Sequence, residues 1–479
     1  MTRDYIKLTN SRYRLGYHIA APAGWINDPN GFCFFKGYYH IFYQYHPYSA
    51  SWGPMHWGHA RSQDLIHWEN LPTALTPGDP EDKDGCFSGS AIVKDDRLYL
   101  IYTGHHYYPG DNDPEHFWQN QNMAYSDDGI TFTKYKHNPI IALPPKDNTQ
   151  HFRDPKVWQI GRNYYLVLGS QETDGLGRVI LYKSANLVDW TYLGPIAKAK
   201  TRKTEGYMWE CPDLFSLDNQ DILLLSPQGI EPQAKKYLNL NQTGYFIGEL
   251  DVTTNQFKRA AFTELDHGHD FYATQTMLAP DGRRLLFAWM AMWENHMPEQ
   301  QDGWAGALIF PRELKLKGNH LYMNPVKELT QLRTRTLSSQ QFELSQATQL
   351  VKTQAQVELQ LTLDLNNFKG HHFNLNLTDD HDVAQLILNY DIATHEFTLK
   401  RKDRSDPRYA TIKPTNIIEL HILVDTSSIE IFINSGETVF TERFYLPTKP
   451  SIWLNSDSPL MLKSEIYQLS NEAIDYGIN

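Results

Sequence analysis

Residues 31–45, GFCFFKGYYHIFYQY, consist of an apolar run, a tight polar turn and a second apolar run. The same pattern recurs at residues 90–104, 156–170, 213–226 and 274–290. Gly, Asn and Asp at the turns supply the left-handed backbone that tight hairpins need. The five hairpins therefore recur at nearly equal steps of 58 to 65 residues, measured between turns near Gly37, Asp96, Gly161, Asn219 and Gly282.

A second turn signal lies between these hairpins, where a polar residue is followed within five positions by an aromatic one. It occurs at residues 64–68, 128–132, 186–190 and 254–257. Two hairpins per repeat make four antiparallel strands, and such units arranged radially form a β-propeller. Five hairpins at nearly equal steps are not naturally explained by tandem β-sandwiches. We therefore expect an all-β fold that begins with a five-bladed propeller.

The repeat pattern stops near Asn324. Residues 324–333, NPVKELTQLR, resemble a short helix or connector, and the stretch that follows is polar. Closely spaced strands with alternating apolar residues come next, which is typical of an antiparallel β-sandwich. The predicted domains are a catalytic propeller at 1–330, a linker at 331–350 and a sandwich at 351–479.

The composition excludes some classes of partner. A net charge of −12 argues against nucleic-acid binding, because phosphate contacts need a basic face. No apolar run is long enough to span a membrane, and residues 1–10 do not resemble a secretory signal. The three cysteines, Cys33, Cys86 and Cys211, lack a disulfide-like arrangement, which fits a reducing compartment. We expect a cytoplasmic protein with no membrane partner.

Three acidic residues stand just before the first strand of three repeats. They are Asp28 in GWINDPNG, Asp154 in HFRDPKVW and Glu210 in MWECPDLF. Each has a proline close by, which stiffens the local backbone. The first strand of each blade lines the channel of a propeller, so these acids should converge on one rim.

A single Asp-Pro at a strand entrance is often only turn chemistry. Three acids in register, flanked by Trp25, Trp158 and Trp209, favour a function instead. Glycoside hydrolysis uses two carboxyl groups, one as nucleophile or base and the other, protonated, as acid.

The local neighbours of each acid predict its role. The acid catalyst needs a raised pKa, which apolar surroundings supply, and Glu210 lies between Trp209 and Cys211. This favours Glu210 as the proton donor.

The other two acids have polar neighbours. The amides of Asn27 and Asn30 could hydrogen-bond an ionised Asp28, which suits a nucleophile. Asp154 follows Arg153, a cation expected to hold it ionised. We therefore expect Asp154 to bind sugar hydroxyls rather than to transfer a proton.

The segments WINDPNG, RDP and EC resemble the signature motifs of glycoside hydrolase family 32, the invertases and fructanases. Residues 424–436, VDTSSIEIFINSG, resemble the signature of that family's C-terminal sandwich, so the resemblance covers essentially the whole chain. It implies cleavage of a β-fructofuranosyl bond with retention. Asp28 would be the nucleophile, Asp154 the transition-state stabiliser and Glu210 the acid/base.

The resemblance also implies a set of contacts in a sugar pocket. Trp293 is placed against the leaving group, although Trp289 is equally near in the sequence. The substrate-binding residues expected in this way are Asn27, Gln44, Trp52, Phe87, Ser88, Arg153, Asp270, Tyr272 and Trp293.

Within the family, residues 226–251 resemble the bacterial sucrose-6-phosphate hydrolases, which release glucose 6-phosphate and fructose. A phosphate on the leaving glucose needs a cation, and Lys235 and Lys236 lie in a plausible loop. The resemblance therefore implies a sugar-phosphate substrate, together with sucrose. A cytoplasmic invertase, a fructooligosaccharide hydrolase and a fructosyltransferase are the alternatives.

Two more distant possibilities are weighed against this. A non-catalytic sugar-binding propeller would keep the aromatic residues without needing three acids. Inverting arabinan or xylan hydrolases would place the two carboxyl groups roughly 6.5–9.5 Å apart, against ~5–5.5 Å for retention. The histidine pairs at 56/59, 105/106 and 267/269 lack metal-site spacing or a third ligand, so we expect no metal and no cofactor.

Overall fold

Five four-stranded antiparallel sheets form the blades of a propeller in the computed structural model, which describes residues 4–110 and 113–477. The inner strand of each blade contacts those of its two neighbours, and the first contacts the fifth, so the ring is closed. The predicted all-β fold, a five-bladed propeller followed by a sandwich, is confirmed. Residue 1, at which the predicted propeller begins, and residue 479, at which the predicted sandwich ends, lie outside the described residues.

The blades follow one another along the chain. Blade 1 contains Gly24–Phe35, Tyr38–His46, His56–Ser62 and Trp68–Leu75, and blade 2 contains Gly85–Lys94, Arg97–Tyr107, Phe117–Ser126 and Thr133–Lys134. Blade 3 contains Asn148–Ile160, Asn163–Glu172, Gly177–Ser184 and Thr191–Lys198. Blade 4 contains Met208–Leu217, Gln220–Gln228, Gly244–Asp251 and Gln256–Arg259, with Thr263–Glu264 beside its third strand. Blade 5 contains Tyr272–Leu278, Arg284–Trp289, Arg312–Lys317 and His320–Pro325.

The hairpin turns have the backbone that their residue types predict. The angle φ is positive at Gly37 (83°), Asp96 (56°), Gly161 (59°), Asn219 (64°) and Gly282 (87°). Glycine adopts this region without steric cost, and Asn and Asp tolerate it better than most residues. The spacing of these turns along the chain therefore sets the spacing of the blades.

The strands of a blade are covered on both faces, because each blade packs between two neighbouring blades. Residues 222–225, the ILLL run of blade 4, are all fully buried. This explains why such strands are apolar throughout instead of alternating. Helices are short in the described residues: the α-helix is Arg202–Glu205, and the 3-10 helices are Pro298–Asp302 and Lys327–Leu332. The last of these confirms the short helix or connector expected there.

The C-terminal part is a sandwich of two six-stranded antiparallel sheets around one apolar core. One sheet contains Arg333–Leu344, Leu460–Leu469, Val357–Asp364, Ile417–Val424, Ser428–Ile433 and Thr438–Arg443. The other contains Thr348–Val351, Ser451–Ser456, His372–Thr378, Ala384–Asp391, Glu396–Arg401 and Arg408–Thr411. Two short strands add to blade 1 in parallel: Trp304–Ala305 along its inner strand and Ile474–Asp475 along its outer strand.

Residues 331–350, for which the polar composition predicts a linker, contain two strands of the sandwich. Arg333–Leu344 pairs with Leu460–Leu469, and Thr348–Val351 pairs with Ser451–Ser456. Both are at the edge of their sheets. An edge strand keeps one side exposed, so a polar composition does not prevent strand pairing.

Buried charges join the sandwich to the propeller. His18 lies between Asp425 and Glu430, with each ring nitrogen 2.7 Å from a carboxylate oxygen, and all three side chains are fully buried. Burial opposes a charge on His18, but the two carboxylates outweigh it and raise its pKa. Arg312 of blade 5 also donates to Glu430. The two acids of segment 424–436 therefore serve to dock one domain on the other.

Candidate active site

Each inner strand of the propeller has a β-bulge near its start. The pairing with the second strand skips residues 27–28, 88, 154–155, 211–212 and 273 in blades 1 to 5. Three bulged residues have positive φ, namely Asp154 (65°), Cys211 (49°) and Ala273 (54°). A bulge changes the direction of a side chain. Neighbours that would otherwise point to opposite faces can then share one pocket.

The three acids lie at or beside these bulges. The sequence places them before the strands, but Asp28 lies inside Gly24–Phe35, Asp154 inside Asn148–Ile160 and Glu210 inside Met208–Leu217. Proline is normally excluded from central strands because it cannot donate to the ladder. Here Pro155 and Pro212 lie within the interrupted pairing, where a missing N–H costs little, and Pro29 directly follows the interruption in blade 1.

All three acids line one pocket of about 340 Å³ at the end of the channel. Blades 1, 3 and 4 each contribute one of them. Seven of the nine predicted substrate contacts line the same pocket: Asn27, Gln44, Trp52, Phe87, Ser88, Arg153 and Trp293.

Asp28 is held by hydrogen bonds to both carboxylate oxygens. Ser88 Oγ donates to Oδ2 at 2.8 Å, and Asn27 Nδ2 donates to Oδ1 at 3.1 Å. The orientation of the Asn27 amide is set by Trp25, whose indole N–H donates to Asn27 Oδ1 at 2.8 Å. Burial, with a contribution from the charge of Glu210, raises the pKa of Asp28, and the hydrogen bonds oppose this rise.

Glu210 has polar partners on each carboxylate oxygen. Arg153 donates from Nε (3.0 Å) and Nη2 (2.8 Å) to Oε1. Gln228 Nε2 donates to Oε2 at 2.8 Å, and the Tyr272 hydroxyl also donates to Oε2. The carboxyl group is therefore fixed in one orientation.

The apolar neighbours that favour Glu210 as the acid do not surround its carboxyl group. Trp209 is fully buried, and its indole N–H donates to the carbonyl of Glu205. Successive side chains of a strand point to opposite faces, so Trp209 faces the core while Glu210 faces the pocket. Trp209 therefore does not supply the apolar surroundings expected for Glu210 from the sequence, although Glu210 does line the pocket.

Asp154 is not paired with the guanidinium next to it, because Arg153 extends to Glu210. Its Oδ2 accepts the backbone N–H of Cys211 at 2.9 Å. Burial raises the pKa of Asp154 to about 7; the charge of Arg153 opposes this, and the acids Glu210 and Asp28 add to it. Arg153 therefore lowers the pKa of Asp154 in the expected direction, but burial outweighs this contribution.

Aromatic rings form the walls of the pocket. Phe87 stacks on His105 with ring centroids 4.1 Å apart, and Trp293 stacks on Trp25 at 6.1 Å. Trp52 is 42% exposed and stands at the mouth. Trp289 is fully buried and does not line the pocket, so the choice between the two tryptophans falls on Trp293.

The remaining two predicted contacts do not line the pocket. Tyr272 is buried behind Glu210, to which its hydroxyl is bonded. Asp270 faces the sandwich, where it accepts hydrogen bonds from Arg401 Nη1 and the backbone N–H of Arg443, both at 2.8 Å. Sequence proximity in HDFYATQ does not distinguish a residue facing the site from one facing a domain interface.

The two lysines expected near a phosphate are also elsewhere. Lys235 and Lys236 line a separate cavity of about 600 Å³ between blade 4 and the sandwich. Lys235 forms an ion pair with Glu396 at 2.6 Å. The loop that resembles the sucrose-6-phosphate hydrolases therefore contacts the second domain.

Several lining residues escape the sequence analysis. His151 lies two positions before Arg153, on the same face of the strand, and period-two alternation could have identified it. Burial and the charge of Arg153 lower the pKa values of His105 and His151 to about 3, so neither is a cation at neutral pH. Other lining residues come from second and third strands and from loops, which no motif marks: Tyr107, Pro114, Glu115, Phe117, Gln119, Tyr207 and Gln228.

The described residues also bear on metal binding and on membrane insertion. Within residues 4–110 and 113–477, no three His, Cys, Asp or Glu side chains are grouped so that they could hold a metal ion. Among the same residues, no helix has the length and apolar character needed to cross a membrane.

Comparison with known protein families matches the two domains separately. Residues 18–325 match the N-terminal domain of glycosyl hydrolases family 32, and residues 328–461 match the C-terminal domain of that family.

Curated relatives cover nearly the same length. A sucrose-6-phosphate hydrolase of Escherichia coli is 41% identical over 90% of this chain and 88% of its own. A raffinose invertase of Escherichia coli is 38% identical over 90% of this chain and 89% of its own.

Solved structures show the same fold. A mutant of the Bombyx mori GH32 beta-fructofuranosidase in complex with sucrose superimposes with a TM-score of 0.88 at 38% identity, covering 97% of this chain and 96% of that one. The sucrose-6-phosphate hydrolase from Lactobacillus gasseri superimposes with a TM-score of 0.86 at 30% identity, covering 97% and 94%.

Proposed function

The chain belongs to glycosyl hydrolase family 32, and we propose that it hydrolyses the β-fructofuranosyl bond of sucrose 6-phosphate and of sucrose. The products are fructose and either glucose 6-phosphate or glucose. The observation that carries the proposal is the convergence of Asp28, Asp154 and Glu210, from three blades, on one pocket. Its volume of about 340 Å³ is in the range of small-molecule sites.

In the proposed mechanism the configuration of the fructosyl group is retained. Asp28 attacks the anomeric carbon while Glu210 gives a proton to the glycosidic oxygen, so that the glucose or glucose 6-phosphate leaves. Glu210 then takes a proton from water, and this water displaces Asp28 from the fructosyl–enzyme ester.

The surroundings of Asp28 and Glu210 fit these roles. The hydrogen bonds from Ser88 and Asn27 stabilise the anionic form of Asp28, which is the form that attacks. Glu210 must alternate between acid and base. The Tyr272 hydroxyl can donate to its carboxylate and accept from its protonated form, because a phenol does both.

Asp154 is proposed to bind the hydroxyl groups of the fructosyl ring. Hydrogen bonds to ring hydroxyls that strengthen in the oxocarbenium-like transition state contribute several kcal/mol in glycosidases. The backbone N–H of Cys211 holds one oxygen of Asp154, which leaves the other for the sugar. Trp52, Phe87 and Trp293 would pack against the apolar faces of the substrate.

The leaving group of the proposed reaction is glucose 6-phosphate or glucose. The names of the relatives support sucrose 6-phosphate as well as an unphosphorylated sugar. Among the described lining residues, Arg153 is the only Lys or Arg, and it is paired with Glu210. This favours sucrose itself as a second substrate, because the phosphate has no free cation of its own among those residues.

A cytoplasmic location and a sugar-phosphate partner belong to the same proposal. The three cysteines are buried and form no disulfide, which supports a reducing compartment.

Two substitutions test the catalytic assignment. Asp28→Asn should nearly abolish hydrolysis, because the nucleophile is lost, and Glu210→Gln should lower kcat by about 10²–10⁴-fold, the usual contribution of general acid–base catalysis. Initial rates of fructose release are measured for both sugars. Asp127→Asn, which alters an exposed ion pair with Arg97, is the matched control and should keep wild-type rates. Near wild-type turnover in either pocket variant would refute the assigned roles.

The preferred substrate is identified by comparing kcat/KM for sucrose 6-phosphate and for sucrose, measured with the same enzyme preparation. A strong preference for unphosphorylated sucrose, or for a longer fructan, would refute the sugar-phosphate part and leave the bond and the mechanism intact.

A further inference from the structure

Two buried polar residues of blade 2 contact the backbone on both sides of Arg153. The Asp154 backbone N–H donates to Thr103 Oγ1 at 3.1 Å, and Gln121 Nε2 donates to the Phe152 carbonyl at 2.8 Å. Thr103 and Gln121 are also bonded to each other, since Thr103 Oγ1 donates to Gln121 Oε1 at 2.7 Å. Both side chains are fully buried.

The Asp154 N–H needs such a partner because of the bulge in its strand. Pairing with the second strand joins Arg153 to Gly169 and then Lys156 to Val167, so the residues between them have no regular position in the ladder. The φ of 65° at Asp154 is also unfavourable for a residue with a side chain. A buried N–H left unpaired costs about 1–3 kcal/mol, so Thr103 stabilises this conformation directly.

The hydrogen bond to Gln121 sets the direction of the Thr103 hydroxyl. The hydroxyl has one hydrogen, which is directed to Gln121 Oε1, so a lone pair remains for the Asp154 N–H. Gln121 uses its amide nitrogen on Phe152 at the same time. The backbone around Arg153 is thus contacted at two points by one connected pair of side chains.

We propose that Thr103 and Gln121 form a clamp that positions Arg153 and Asp154 for the reaction. The inference rests on the proposed function, because that function is what assigns catalytic roles to Asp154 and Glu210. The clamp does not touch the reacting atoms, and its members are positioning residues. It acts through two side chains: Arg153, which holds Glu210, and Asp154, which accepts the N–H of Cys211.

Three variants test the clamp. Thr103→Val keeps the shape but removes both hydrogen bonds of the hydroxyl, whereas Thr103→Ser keeps the hydroxyl. Thr274→Val is the matched control, because Thr274 is a buried threonine of the blade 5 inner strand whose hydroxyl has no hydrogen-bond partner.

Thr103→Val should lower kcat by about tenfold or more with KM changed less than about twofold, because misplaced catalytic groups weaken transition-state binding more than substrate binding. Thr103→Ser should recover most of the rate, and Thr274→Val should retain all of it. A merely structural role would lower the melting temperature without this separation of kcat from KM.

Hydrogen exchange gives a readout that does not depend on activity. The amide of Asp154, followed by mass spectrometry of peptides covering residues 152–156, should exchange faster in Thr103→Val than in the wild type or in Thr274→Val. If Thr103→Val does not fold, Gln121→Glu provides the second test. It keeps an acceptor for Thr103, removes the donor to Phe152, and should also lower kcat.

The outcomes separate the clamp from the proposed function. A wild-type chain that hydrolyses neither sugar refutes the function, and the exchange of the Asp154 amide then still tests the clamp. An active wild type with unchanged kcat and unchanged exchange in Thr103→Val refutes the clamp alone. Equal losses in Thr103→Ser and Thr103→Val would also refute it.

Discussion

Asp270→Asn tests whether Asp270 joins the two domains or binds the substrate. Asp270 is 2% exposed, and its side chain accepts three hydrogen bonds, two of which come from the sandwich. Arg401 Nη1 and the backbone N–H of Arg443 donate to Oδ2, both at 2.8 Å, and Asn295 Nδ2 donates to Oδ1 at 2.7 Å. The substitution keeps the volume and removes the charge.

The expected loss of stability follows from these contacts. An asparagine in the same orientation places an amide N–H₂ against two donors, so both hydrogen bonds to Oδ2 are lost. Removing one partner of a buried ion pair costs about 3–5 kcal/mol. Arg401 keeps Asp403 and Glu442 as partners, which places the expected loss at the lower end, about 3 kcal/mol.

Thermal and urea unfolding measure this loss, and initial rates on sucrose measure function. If the chain unfolds as one unit, about 3 kcal/mol corresponds to a fall in Tm of about 3 °C, given the unfolding entropy per residue. kcat/KM measured well below the transition should stay within about twofold of the wild type. The control Asp127→Asn, in an exposed ion pair, should leave the Tm unchanged.

The opposite result would support the expectation from the sequence that Asp270 binds the substrate. If Asp270→Asn melted like the wild type and lost more than tenfold in kcat/KM, Asp270 would be a substrate contact and its assignment to the interface would be refuted.

Two further predictions concern pH and the leaving group. The folded-state pKa of Asp154, about 7, lies above the ordinary carboxyl value, so this group costs stability as pH rises through that interval. Relative to the wild type, Asp154→Asn should therefore unfold at a higher urea concentration at pH 8, with little difference at pH 4; an equal gain at both pH values would contradict this. Lys235→Ala should leave the ratio of kcat/KM for sucrose 6-phosphate and sucrose unchanged within about twofold, because Lys235 pairs with Glu396 away from the pocket. A fall in that ratio of tenfold or more would place Lys235 at the phosphate.

Local sequence patterns were sufficient to predict the fold. Turn residues such as Asp96 and Asn219 have the positive φ that their residue types favour, so the number of hairpins could be read directly from the chain. The boundary of the sandwich was harder to place. Arg333–Leu344 is an edge strand, and its polar residues resemble those of a linker because one side of the strand is exposed.

The acids of the pocket could be predicted from the sequence, but not the side chains to which they are bonded. Motifs marked Asp28, Asp154 and Glu210, and all three line one pocket. The sequence pairs Arg153 with the adjacent Asp154, yet Arg153 reaches Glu210 in the next blade. Which partner a side chain takes depends on the neighbouring blade, and sequence proximity carries no information about that.

The class of fold, the number of blades and the three acids that line the pocket were predictable from the chain alone. These follow from short-range turn chemistry and from motifs a few residues long. Three features became visible only in the packed molecule: Asp270 contacts the sandwich, Lys235 lies outside the pocket, and Thr103 supports the bulge at Asp154. Each of these depends on contacts between residues more than 50 positions apart, which form only when blades and domains pack.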